Sequence, residues 1–346
     1  MLRLLSATLL LLAALDASPA AANETIHVGE GPFISGGPYF IARDKGYFEK
    51  LGITIETKKF ADGALAIPSM ISGELEISNM PASAGLFNAV AKGAPLVMIL
   101  DRGTNSPGYS YTTESVTQEL YDQGVHSLAD FGKLKGKRIG VTAVGSINHY
   151  NMALALQKAG LDPVHDVQWV MGVEQPDLMK MLGQKQVDVA DLAYQFAFFA
   201  KNNKWSQIVG DGDQIDSGQQ IATFAVRKDY LAQHRDVLVR WAMAYLQGVK
   251  DFNAAAADPA ARADVIDILA KNTALQKPEL VKAIAPHWAY ISPDGLPNVA
   301  SIMRMQDFWS APAFGLVKKK VPENQLFDLS VVKDAAARLK KEKPFG

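Results

Sequence analysis

The sequence predicts an α/β protein built from two doubly wound α/β lobes joined by two crossing strands, with C-terminal helices packed on the first lobe. Three observations carry this. Apolar strands alternate with helices in the β-α-β-α-β order of a mainly parallel sheet. The alternation lapses over residues 102–125 and then restarts, and beyond residue 227 the chain reads as almost wholly helical.

In the first unit, Ile26, His27 and Val28 make a short strand, and the loop Ser35-Gly36-Gly37 leads to Pro38. Proline in first helical position with glycine before it marks a helix start. Gly46 ends that helix, and Tyr47, Phe48 and Leu51 then pack beneath a strand over 53–55. Asp62-Gly63 opens a helix expected to run through Ile71 and close at Gly73, with Pro68 kinking or delaying it. A strand over 75–78, a turn over 79–83, a helix carrying Leu86, Phe87 and Val90, and a strand over 95–100 follow. Ligands of such sheets bind beyond the carboxyl ends of the strands. The loops 35–39, 61–64 and 79–83 are therefore the expected site walls.

Residues 102–125 read as a looser stretch, punctuated by Gly103, Asn105, Pro107 and Gly108. The rhythm resumes with a strand over 137–141, a turn over 143–146 and a helix over 147–159 that Gly160 ends. A strand over 167–171, a helix over 176–182, a strand over 187–189 and a helix over 194–200 come next. After a strand over 221–227, helices are predicted over 235–271 and 278–285. These most simply pack back on the first unit, so the chain crosses near Asp101 and near Ser217, and the crossings act as a hinge. The expected division is 23–101 with 218–346 for the first lobe and 102–217 for the second.

Residues 1–22 read as a secretory signal peptide: Arg3, an apolar run over 4–15, then Ser18, Pro19 and Ala20-Ala21-Ala22. The run is shorter than the roughly 20 apolar residues of a membrane-spanning helix. Cleavage near Ala22 would leave a periplasmic protein. With no cysteine, the chain has no disulfide, thiolate metal site, cysteine nucleophile or lipid-modified cysteine. A net charge of -1 lacks the electrostatic footprint of a nucleic-acid binder, and Lys318-Lys319-Lys320 reads as a solvated turn. No His-x-x-x-His pair, nucleophile elbow or phosphate loop occurs. Asp211, Gly212, Asp213 and Asp216 only superficially match a calcium loop and read as a polar turn. No cofactor or metal is expected, and a monomer is the default.

The run from Pro38 to Ile53, PYFIARDKGYFEKLGI, resembles the nitrate/taurine/sulfonate class of periplasmic ABC-transporter substrate-binding proteins. Further landmarks recur in order: Ser72 to Ile77 (SGELEI), Pro81-Ala82-Ser83, Lys92 to Pro95 (KGAP), Leu134 to Val141 (LKGKRIGV) and Leu154 to Leu161 (LALQKAGL). Pro293-Asp294-Gly295 with Pro297-Asn298 is similar to the family's C-terminal helical segment. The resemblance implies a type II periplasmic-binding-protein fold, capture of a small molecule by hinge closure, and a permease and ATPase as partners. A related branch of the fold makes the thiamine pyrimidine, and this implies an iron-binding cysteine cluster that a cysteine-free chain cannot supply. A periplasmic ligand sensor would share the same binding and closure.

Candidate ligand residues follow from position, each with an ordinary alternative. Helix starts at Gly37-Pro38-Tyr39, Pro81-Ala82-Ser83 and Gly145-Ser146-Ile147 offer free N–H groups to an anion, or Ser83 and Ser146 simply cap their helices. Asp62 lies in the second loop. Asn79 at a strand end either bonds a ligand or closes a turn. Asn148, His149 and Tyr150 offer a polar face and an aromatic wall, unless His149 is structural. Asp191 and Tyr194 flank another strand end, where Asp191 meets a donor group or caps the next helix. Arg102, at the first crossing, pairs an anionic head group or stays at the surface. Trp288 and Tyr290 stack on a ligand or belong to the core. The aromatic and amide-rich loops favour an organic ligand with a polar or anionic head over an inorganic anion.

Overall fold

The computed structural model describes residues 24–346, so the expected signal peptide lies outside the described residues. β1 (Glu24–Glu30) buries Ile26 and Val28 completely and pairs in parallel with β2 (Ile53–Lys59) and β3 (Ile77–Pro81). α1 (Gly37–Asp44) carries Pro38 in its first turn. Before α2 (Ile67–Ser72) the chain makes a 3-10 turn over Gly63–Ala66, and Pro68 falls in the first turn of α2. The helix expected from Asp62 is thus a turn and a shorter helix, because a proline's missing N–H is harmless only at a helix start. α3 (Ala84–Ala91) and β4 (Leu96–Asp101) complete the first unit.

The chain then crosses by β5 (Thr104–Asn105) to a second sheet of β6 (Thr112–Thr117), β7 (Arg138–Gly140), β8 (Gln168–Val170), β9 (Val189–Ala193) and β10 (Ser206–Asp211). Their order is β10-β6-β9-β7-β8. Helices α4 (Ile147–Lys158), α5 (Gln175–Gly183) and α6 (Tyr194–Asn202) connect them. Residues 102–125 are therefore not a loose stretch: all six residues of β6 are buried next to β9. Its Thr-Thr-Glu-Ser-Val-Thr sequence hides this, because buried polar side chains break the apolar alternation that marks a strand. The turn expected at Asp211 is a single helical turn, Gly212–Ile215, in which Asp211 and Gln214 cap each other.

The return crossing, β11 (Gln219–Gln220), pairs antiparallel with β5. β12 (Ala222–Arg227) then inserts antiparallel between β3 and β4, giving the first sheet the order β2-β1-β3-β12-β4. Gln220 is the knot of these crossings. Its Nε2 donates to Asp101 Oδ1 (2.6 Å), and its Oε1 accepts from Asn298 N (2.6 Å).

Four long helices follow: α7 (Arg235–Ala257), α8 (Ala263–Asn272), α9 (Val299–Ser310) and α10 (Ser330–Glu342). α7 lies against α1 at near backbone contact, since a Cβ added to Gly248 would stand 2.1 Å from the Pro38 carbonyl oxygen. Trp241 of α7 packs against Tyr39, Phe48 and Phe224. Each such ring, fully buried, contributes roughly 1.5–3 kcal/mol. Among the described residues no helix is long and apolar enough to cross a membrane.

Candidate ligand-binding site

The ends of β3 and β9 and the starts of the antiparallel β6 and β12 face one cleft, placing Asn79, Pro81, Ala193, Thr112 and Ala222 around a cavity of about 80 Å³. Asp62 joins from the first sheet's side, Arg102 from the start of the crossing, and Thr142, Asn148 and Gln175 from the second sheet's side. Phe33, Ile147 and Ile221 give it apolar patches. A larger furrow of about 630 Å³ is lined by α7, α10, Pro293 and the last residues of the chain, apart from the ends of the two sheets.

Arg102 is 2% exposed and already paired. Its Nε and Nη2 donate to the two carboxylate oxygens of Glu30 at 2.9 and 2.5 Å, and its Nη1 donates to Ser35 Oγ at 2.9 Å. Glu30, at the end of β1, is as buried as its partner. The expectation that Arg102 pairs an anionic head group thus meets a cation whose charge is cancelled inside the protein.

Asp62 accepts the Ala64 N–H through Oδ1 (2.8 Å), and its other oxygen has no partner among the described residues. Burial pushes its carboxyl above the usual range, with Arg102 partly opposing this. Gly63 lets this loop lie against β3, since a Cβ there would stand 2.5 Å from the Asn79 carbonyl oxygen. Asn79 is 6% exposed, and its buried Oδ1 has no hydrogen-bond partner.

In the second lobe Asn148 Oδ1 accepts from Thr142 Oγ1 (2.9 Å), while its Nδ2 donates to Asp191. Asp191 also accepts from Asn151 Nδ2 (2.8 Å). It therefore stands behind the wall rather than in it, and it does not cap α6, whose N-cap is Ala193 without a side-chain bond.

The other expected contacts lie elsewhere, each for a packing reason. Gly37 faces α7, where an added Cβ would stand 2.3 Å from the Phe252 ring. Tyr39 is in the core of the first lobe, its hydroxyl 2.5 Å from Thr57 Oγ1. Ser83 caps α3 by accepting from Leu86 N, and Ser146 caps α4 by accepting from His149 N. His149 sits among Trp169, Trp309 and Phe314, accepts from Gly145 N at 3.0 Å, and is pushed down to about 4 by burial. Trp288 stacks on Phe252 in the core, and Tyr290 meets Tyr109.

Tyr194 has a different task. Its ring stacks on His287 at 3.5 Å and 5°, tying α6 to the helical segment of the first lobe. The adjacent Gln195 accepts from Ile34 N (3.1 Å), and Ala84 N donates to Gly145 O (3.0 Å). These contacts join the segments around the two sheets at more than one place. Phe33, Thr112, Thr142 and Gln175 also line the cavity without having been expected there; Phe33, Thr142 and Gln175 adjoin predicted strand ends, loops or helix starts, whereas Thr112 lies in the stretch that reads as loose.

Relatives from Brucella abortus, Brucella suis and Brucella melitensis are 27% identical over 242 residues, 69% of this chain and 68% of theirs; their names propose a binding role and give no ligand. Among solved structures, the periplasmic nitrate-binding protein NrtA from Synechocystis PCC 6803 matches with a TM-score of 0.75 at 12% identity, over 94% of this chain and 91% of its own. The periplasmic aliphatic sulphonate-binding protein SsuA from Escherichia coli matches at 0.66 and 20% identity, over 88% and 92%. At such identities the likeness is one of fold. The model of the NMT1-like family matches residues 19–270, and the chain belongs to that family.

Proposed function

We propose that the protein is the substrate-binding component of an ABC importer, a periplasmic monomer that closes two lobes on a small organic ligand and delivers it to a permease and ATPase. The cavity between the lobes carries this reading. Asp62 and Asn79 from one side and Asn148 and Gln175 from the other converge on it, so one ligand can bridge both lobes. Such a ligand favours the closed state by its preferential affinity for it. The nitrate- and sulphonate-binding proteins that share the fold support the same reading, as does the predicted signal peptide. The division at residues 23–101 with 218–346 and 102–217 makes the β5–β11 pair the hinge between the lobes. The test is a thermal-shift screen of the purified mature protein followed by solution scattering with the compound that shifts it. A smaller radius of gyration on binding is expected; a bound compound that leaves the interlobe angle unchanged rejects the reading.

A further inference from the structure

Resting on that reading, we infer that the ligand presents a nitrogen cation of the amidinium, guanidinium or ammonium type to Asp62 and Asn79, rather than an anionic group to Arg102. The charges around the cavity decide the sign. Arg102 is the one cation among the described lining residues, and Glu30 holds it through two bonds of 2.9 and 2.5 Å. The charge that an anion would seek at Arg102 is already neutralised by Glu30.

Asp62 lacks such a partner. One oxygen is held by Ala64 N, and the other is free of the described protein groups. Asp62 is partly buried and forms no ion pair with a described cation, so a ligand cation at its free oxygen offsets the desolvation of the carboxylate. Asn79 adds a neutral acceptor, since its buried oxygen stays unpaired until a donor reaches it. A group carrying several N–H bonds in one plane serves both residues.

The second lobe has the same bias. Behind Asn148 lie Asp191 and Glu114, both fully buried, and no described cation forms an ion pair with either. Whatever negative charge this pair carries acts through a low-dielectric wall and favours a cation in the cleft. At roughly 10–15 Å³ per water-sized group, the cavity of about 80 Å³ holds a head group of about half a dozen atoms. Phe33, Pro81, Ile147 and Ile221 leave apolar wall for a flat body.

Matched compounds of one shape and opposite charge test this by calorimetric titration of the purified protein: acetamidine against acetate, and benzamidine against benzoate. The amidinium of each pair is expected to bind at least about tenfold more tightly than its carboxylate. Asp62→Asn keeps an acceptor for Ala64 N–H and is expected to erase that preference. Asn79→Asp, which adds a second carboxylate, is expected to enlarge it, a gain that misfolding cannot mimic. Carboxylate binding as tight as amidinium binding, or equal changes for both charges in the variants, overturns the inference and leaves the binding-protein reading standing. If neither charge type binds or moves the lobes, both fall.

Discussion

Glu114 and Asp191 stand directly opposite one another in the β6–β9 pairing, both fully buried, and neither oxygen of Glu114 receives a donor from the described residues. Two carboxylates at cross-strand distance in a dry interior cannot both ionise, so the pair holds a proton that the unfolded chain has released. Burial pushes Asp191 up to about 7 and Glu114 well above its ordinary value. The two amides that donate to Asp191 mark it as the partner that ionises first. Raised acids stabilise fully below the unfolded range near 4–4.5, and that contribution is lost as the pH climbs through 7. Glu114→Gln replaces the shared proton with an amide donor. Its stability is therefore expected to gain on the natural protein by about 1.4 kcal/mol per pH unit as the pH rises from 5 to 7. Denaturation curves that run parallel over that range would show that no proton is shared.

The Arg102–Glu30 pair is a structural charge pair set in the wall of the site. Removing one partner leaves the other charge buried, which costs about 3–5 kcal/mol, whereas replacing both with apolar groups of similar volume is far milder. Glu30→Gln is expected to lower stability by about that amount and Glu30→Leu with Arg102→Met by much less. Urea denaturation of the two proteins measures it; equal losses would mean that the pair is held by packing and not by charge.

How much of this was readable in one dimension depends on what each residue faces. Ile26 and Val28, or Leu96 to Leu100, announce strands because their burial is apolar and periodic. Asp62, Asn79, Arg102 and Asn148 could be found by position alone, since strand ends and crossings in a doubly wound sheet point at the cleft. Tyr39 could not be placed: a helix start says where a residue is along the chain, while the face it turns to α7 depends on Trp241, some two hundred positions later. β6 was lost for the opposite reason. Its Thr112 and Glu114 are buried through hydrogen bonds and a shared proton, and such burial leaves no hydrophobic pattern to read.

Tyr194 and His287 form a clasp whose loss should alter closure more than folding. A stacked pair contributes about 0.5–1.5 kcal/mol beyond its burial, which is about two- to tenfold in the closed-to-open ratio. Tyr194→Ala is expected to enlarge the ligand-free radius of gyration and to weaken ligand binding by a similar factor, because only the closed fraction binds on both sides. Solution scattering and titration check both; a variant with unchanged shape and lower melting temperature would make the stack an ordinary core contact.

His149 should respond to pH with the opposite sign to the acid pair. Its ring is 5% exposed, walled by Trp169, Trp309 and Phe314, and no carboxylate forms an ion pair with it among the described residues. Burial holds it near 4, against the ordinary 6.5. Between those values the unfolded chain binds a proton that the folded protein refuses, so stability present above 6.5 is lost as the pH falls toward 4. The full span is about 3 kcal/mol. Over the same range the Glu114–Asp191 pair gains stability, so the natural protein shows only the difference. His149→Phe keeps an aromatic ring in the cluster and removes the titration. Whatever the variant loses at pH 7.5 by giving up the Gly145 bond, its stability relative to the natural protein is expected to improve steadily from pH 6.5 down to 4.5. A difference that stays constant with pH would mean that His149 is protonated in the folded state, and that water or a carboxylate reaches the ring.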